Sequence, residues 1–155
     1  MVQRVLVQTD FQPESLESLS VYLHFRKNDK VELVFVHGII ISDSIMDLLF
    51  FNSDEWLKDM KTNRFLERLS ELQSCFRETI ADVQFELFTG ASFASFQEFV
   101  EERKINRLLI PYGYKFNWKV KNWRDLSTYF ERLDIARHEI SIDIQSALHP
   151  SFSAQ

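Results

Sequence analysis

The chain alternates between short apolar runs and longer segments whose apolar residues recur every three or four positions. Residues 4–9, RVLVQT, read as a first strand that ends at Asp10. Pro13 suits the first turn of a helix, and Leu16, Leu19, Val21, Tyr22 and Leu23 carry that helix to about Phe25. After a turn at Asn28–Asp29, residues 31–37, VELVFVH, form a nearly continuous apolar run, the mark of a strand covered on both faces. Residues 43–77 read as helix, with a break expected near Asn52–Asp54 and an apolar face of Trp56, Leu57, Met60, Phe65, Leu66, Leu69, Leu72 and Phe76. A third strand follows at 83–88, then a helix capped by Ser92 that runs to about Arg103 with Phe93, Phe96, Phe99 and Val100 inward. A fourth strand spans 107–111, and a helix from Asp125 or Ser127 runs to about Leu133. The fifth strand, 139–144, alternates strictly between Ile and polar residues, and the last residues look like a loose tail.

Strands separated by helices predict an α/β fold: a five-stranded, mostly parallel sheet with helices on both faces and right-handed connections. The expected organisation is one domain over residues 1–146 and a tail over 147–155. Each of the three glycines, Gly38, Gly90 and Gly113, follows a predicted strand, where a βα turn needs permissive dihedrals or a ligand comes close. In such sheets ligands bind at the carboxyl ends of the strands, where the strand order reverses.

Charge sharpens this picture. The net charge is −5, which speaks against general nucleic-acid binding. Residues 103–124 nevertheless hold seven basic side chains and no acidic one, which leaves −12 for the rest of the chain. Fifteen Phe imply an aromatic core. The single Cys75 excludes an internal disulfide and suits a reducing compartment. No signal segment and no run of 18 apolar residues is visible, so the expectation is a cytoplasmic protein without a membrane partner.

Three stretches carry a resemblance: RVLVQTDFQPESLESL, VELVFVH, and VQFELFTGASFASFQEFVEERKINRLLI. In their order and spacing the chain resembles the universal stress protein family from residue 4 to about 144. The resemblance implies an adenine-nucleotide-binding sheet of strand order 3-2-1-4-5. It matches Asp10 to the acidic residue at the end of the first strand, which contacts the nucleotide, and Val36 and His37 to the end of the second strand, beside the adenine. Members that bind ATP carry a G-x₂-G-x₉-G-S/T loop after the fourth strand. Here Gly113 falls at the first glycine, but Lys115 or Phe116 stands at the second and the third is missing, although Ser127 and Thr128 keep hydroxyls near the next helix. Thr9, Asp10, Phe11, Val36, His37, Pro111, Tyr112, Gly113, Lys115 and Ser127 form the candidate site. Without glycines the backbone cannot wrap phosphate oxygens free of Cβ clashes, so ATP is expected to bind weakly at most and no firm cofactor is assigned. The resemblance also implies a homodimer through the fifth strand, Glu139 to Ile144, whose alternation suits a sheet edge.

Each candidate also has a plainer reading. Asp10 serves equally as an acid at a helix N-terminus, and His37 as a core histidine. The run Tyr112, Tyr114, Lys115, Phe116, Trp118, Lys119, Lys121, Trp123, Arg124 could stack on single-stranded nucleic acid, but aromatics packed on the core fit better in an acidic chain. Residues 43–56 are apolar enough to dock a protein partner, and core packing accounts for them as well. Asp43 and Asp47 lack a third ligand, so no metal is expected, and Cys75 reads as a buried small hydrophobe. No G-x-S-x-G elbow, Walker loop, H-E-x-x-H, S-G-G-x-D-S or H-x-G-H motif occurs, so no enzyme is expected. The leading expectation is a non-enzymatic stress or signalling module with a degenerate nucleotide site. The alternatives are an adenine-nucleotide or small-anion binder that uses Lys115 and its basic neighbours, and a protein-interaction module acting through residues 43–56.

Overall fold

The computed structural model describes residues 2–26, 29–41, 52–118 and 122–141. Most of the apolar 43–56 segment, Asp43, Asp47, Lys119, Lys121, the Ile142–Ile144 end of the predicted fifth strand and the 147–155 tail lie outside the described residues.

Along the chain, β1 (Gln3–Gln8) leads through a 3₁₀ turn (Pro13–Leu16) into α1 (Glu17–His24). Then come β2 (Val31–Ile39), α2 (Ser53–Met60), α3 (Asn63–Cys75), β3 (Ile80–Phe88), α4 (Phe93–Glu102) and β4 (Arg107–Tyr112). The chain continues through β5 (Trp123–Arg124) and α5 (Ser127–Arg132) to β6 (Ala136–Ser141). The main strands run parallel in the order β3-β2-β1-β4-β6, which is the expected 3-2-1-4-5 path, and β5 adds an antiparallel pair on β2.

Period-two alternation in the central strands sends side chains to two cores. Val5, Val7, Leu33 and Phe35 pack beneath α1, α2 and α3 with Leu19, Leu57, Phe65 and Leu72. Leu6, Val34, Val36 and Leu108 face the opposite way, against Phe96 and Phe99 of α4 and Phe130 of α5. This two-sided cover is why β2 has no polar alternation.

The structure departs from the expectations at several points. Among the described residues there are six strands, not five, because the chain after β4 returns to pair with β2 at Trp123–Arg124. Within the expected 43–77 helix, α2 begins at Ser53, capped by Asn52, whose side chain accepts from the amides of Asp54 and Glu55. The helix breaks at Lys61–Thr62, where Thr62 caps α3 by accepting from the Phe65 amide. The last strand enters the sheet at Ala136 rather than Glu139. Its polar start pairs through backbone with β4, while Arg137 bonds the carbonyls of Glu131 and Leu133 and His138 packs on Tyr22. Cys75 is exposed at the end of α3, not buried.

Candidate functional site

The carboxyl ends of β1 and β2 meet at Thr9, Asp10, Phe11 and His37, all of them buried. β1 leaves the sheet through a tight turn. The Thr9 hydroxyl accepts from the Phe11 amide at 2.9 Å, and Asp10 Oδ1 accepts from the Gln12 amide at 3.0 Å. Phe11 takes φ = 61°, a left-handed conformation rare outside glycine, and the Thr62 hydroxyl holds its carbonyl at 3.1 Å. This conformation turns the Phe11 ring inward, 5.1 Å from the His37 ring and 5.7 Å from Phe65.

His37 donates from Nδ1 to the Thr9 carbonyl at 3.0 Å. That bond fixes the tautomer and leaves Nε2 as a lone-pair acceptor, buried and without a partner among the described residues. Burial holds the His37 pKa below its ordinary value, against the opposing pull of the Thr9 bond and the Asp10 charge.

The segment after β4 closes the site. In the strand order β2-β1-β4, a chain that runs from the end of β4 to the end of β2 must pass over the end of β1. It turns at Gly113 (φ = 84°) and crosses Asp10 as a strap. Tyr114 donates its hydroxyl to Asp10 Oδ2 at 2.5 Å, and the Asn117 amide donates to the same oxygen at 2.7 Å. Burial, and then the Asp10 carboxylate, push the Tyr114 pKa far up, so the hydroxyl keeps its proton. The rings of Phe116, Trp118 and Trp123 stack in series at 5.0 Å each, and Trp118 lies 5.5 Å from His37. The strap is then clamped where Gly38 and Ile39 pair with Arg124 and Trp123. Gly38 permits that approach: a Cβ there would stand 2.6 Å from the Arg124 carbonyl oxygen.

Beside the strap a half-open cleft of about 250 Å³ is lined by Gln8, Pro111, Tyr112, Gly113, Tyr114 and Ser127, among others. Buried Gln8 ties β1 to α5, accepting from the Leu126 amide at 2.7 Å and donating to the Ser127 hydroxyl at 3.1 Å.

The sequence-derived candidates therefore separate. Thr9, Asp10, Phe11 and His37 come together under the strap, whereas Pro111, Tyr112, Gly113 and Ser127 line the cleft. The Val36 side chain is buried in the α4–α5 core, and only its carbonyl reaches the β1 end, accepting from the Thr9 amide at 3.0 Å. Lys115 is exposed. Sequence reasoning did not find the roles of Tyr114, Asn117 and Gln8. Its one signal was the spacing of rings at 114, 116 and 118, which places alternate side chains of an extended segment on one side. Among the described residues no group of three or more His, Cys, Asp or Glu is placed to hold a metal ion, and no helix is long and apolar enough to cross a membrane.

No protein-family model and no curated protein matches the chain. Solved structures do. A hypothetical protein, PH0823, superposes with a TM-score of 0.54 at 18% identity, covering 91% of this chain and 97% of its own. A universal stress protein family member from Burkholderia pseudomallei gives 0.52 at 12% identity, with 89% and 95% covered. The universal stress protein UspA from Lactobacillus plantarum gives 0.52 at 11% identity, with 89% and 97% covered. The chain has the fold of the universal stress proteins.

Proposed function

We propose that this protein is a non-enzymatic stress-response or signalling module in which the place of a nucleotide is taken by the chain's own strap. The observation that carries this reading is the occupancy of Asp10: the carboxylate that would meet a nucleotide is bound by Tyr114 and Asn117. The loop that would cradle phosphates is built from Tyr114, Lys115 and Phe116 instead of glycines, and side chains there block backbone wrapping of an anion. Calorimetry with ATP and Mg²⁺ tests the reading. The expected result is no saturable heat below millimolar ATP, and micromolar affinity overturns it.

The cleft favours a second reading, a nucleotide or small-anion binder. Gly113 and Ser127 line it, and exposed Lys115 follows Tyr114 directly in the most basic window of an acidic chain. In that case Lys115→Ala weakens binding of the anion. A homodimer across the edge strand β6 accompanies the main reading, since that strand pairs only with β4 among the described residues. Light scattering at tens of micromolar reads the mass, and a monomer refutes the dimer. A cytoplasmic setting accords with the single free cysteine.

A further inference from the structure

We propose that the site the strap covers, at Asp10 and His37, binds a planar, hydrogen-bond-donating cation, an amidine or guanidine by chemical class, which enters by displacing Tyr114–Trp118. The proposal rests on the reading of the strap as the site's own occupant, and it names what replaces it.

Asp10 is 1% exposed and accepts three hydrogen bonds, all from neutral donors: the Gln12 amide, the Tyr114 hydroxyl and the Asn117 amide. Among the described residues no Lys, Arg or His makes an ion pair with it. A carboxylate so buried, with no ion-pair partner among the described residues, gains more from a cation than from neutral donors. His37 is likewise 1% exposed, and its Nε2 lone pair has no donor among the described residues. The polar groups under the strap thus include two acceptors, one charged and one vacant. The surroundings that stay when the strap leaves are aromatic: the Phe11 ring lies 5.1 Å from the His37 ring and 5.7 Å from the Phe65 ring. Acceptors beside π faces select a flat cation that carries several N–H donors. A phosphate would bring negative charge beside the Asp10 carboxylate, whose partners among the described residues are all neutral.

The strap already mimics such a ligand. Tyr114 and Asn117 supply two donors to one carboxylate oxygen, and Trp118 supplies the flat ring against His37. It is also built to leave. Gly113, at φ = 84°, sits at one end as a swivel, and the 250 Å³ cleft that Tyr114 lines gives that side chain somewhere to go. At the other end the Trp123–Arg124 pairing holds the chain on β2, so opening requires no unfolding of the sheet.

The test uses benzamidine, calorimetry, and hydrogen exchange at the Asn117 amide, on the wild-type protein and Tyr114→Phe. Phenylalanine keeps the ring and removes one hydrogen bond to a charged group, which raises the open population at least about tenfold. Benzamidine is therefore expected to bind both proteins saturably, about tenfold more tightly to Tyr114→Phe, and to speed exchange of the Asn117 amide as it displaces the strap. Benzoate, with the same ring and the opposite charge, is expected not to bind. Absence of benzamidine binding in both proteins overturns the proposal. So does equal affinity in the two, or an Asn117 amide that binding leaves unchanged. ATP titrated in parallel separates the two readings. Micromolar ATP binding overturns the occupied-site function, whereas silence from both ligands overturns only the cation site.

Discussion

Gly38→Ala tests whether the strap is held by its clamp on β2. The added Cβ would lie 2.6 Å from the Arg124 carbonyl oxygen and 3.0 Å from the Leu126 side chain. Carbon–oxygen contacts close at about 3.3 Å, so roughly 0.7 Å of separation must be found. The obstructing oxygen is main chain and cannot rotate aside, so the strap has to move. Its movement strains the Gly38–Arg124 and Ile39–Trp123 pairings and the bond from the Ile40 amide to the Asn122 carbonyl at 2.6 Å. At about 1 kcal/mol net for each backbone hydrogen bond, release of the clamp costs about 3 kcal/mol. The smaller entropy of an unfolded chain with Ala in place of Gly returns about 0.4–1 kcal/mol. The expected net loss is about 2 kcal/mol. Urea unfolding followed by far-ultraviolet circular dichroism should show the midpoint falling by about 1 M, with a slope of about 2 kcal/mol/M. Near-ultraviolet circular dichroism should change too, since Trp123 stacks on Trp118 at 5.0 Å. A midpoint within about 0.2 M of wild type, with the aromatic signal intact, would refute the reasoning.

Two further predictions address the frame around the site. Thr62→Ala removes both the cap of α3 and the hydroxyl that donates to the Phe11 carbonyl, so it should cost about 1–2 kcal/mol in chemical unfolding; a change under about 0.3 kcal/mol would show that neither bond contributes. Burial, foremost, holds the pKa values of His37 and His138 below the ordinary 6.5, and for His138 the charges of Arg26 and Arg107 add to it. The unfolded chain therefore takes up these protons first, and stability is full above about pH 6.5 and falls as the pH drops from there toward the folded-state values. Urea midpoints at pH 7.5 and 5.5 should show the loss, and His37→Phe should reduce it; a midpoint that rises on acidification has the wrong sign for this account.

What the sequence reveals follows the range of the forces involved. β1 and β2 are legible because each buries its own apolar run, and Ser92 is legible because a cap acts within three residues, accepting from Ser95. β5 leaves no such trace: two residues pair through backbone alone, and what signals the pairing is a glycine 85 and 86 positions earlier. Gly38 reads in the sequence as a turn residue after a strand, yet it lies within β2 and is needed for a close approach. Asp10 is legible as a strand-end acid, but its partners Tyr114 and Asn117 lie 104 and 107 residues away, beyond any local pattern. The start of β6 is illegible because a strand at the sheet edge admits Arg137, which bonds the Leu133 carbonyl, and His138, whose Nδ1 meets Arg26.

The course of the strap orders events in time. Its contacts join residues 104–107 apart, nearly the same span that Val5 and Arg107 close when β1 pairs with β4, and a few hydrogen bonds offset that closure entropy less than the buried β1–β4 ladder does, so they are expected to follow that pairing. The docking of Trp118 against His37, 5.5 Å away, is then expected to come last in folding and to open first in unfolding. Substitutions in the strap will accordingly leave the folding rate nearly unchanged and hasten unfolding, and tryptophan fluorescence will follow the closing step apart from assembly of the sheet.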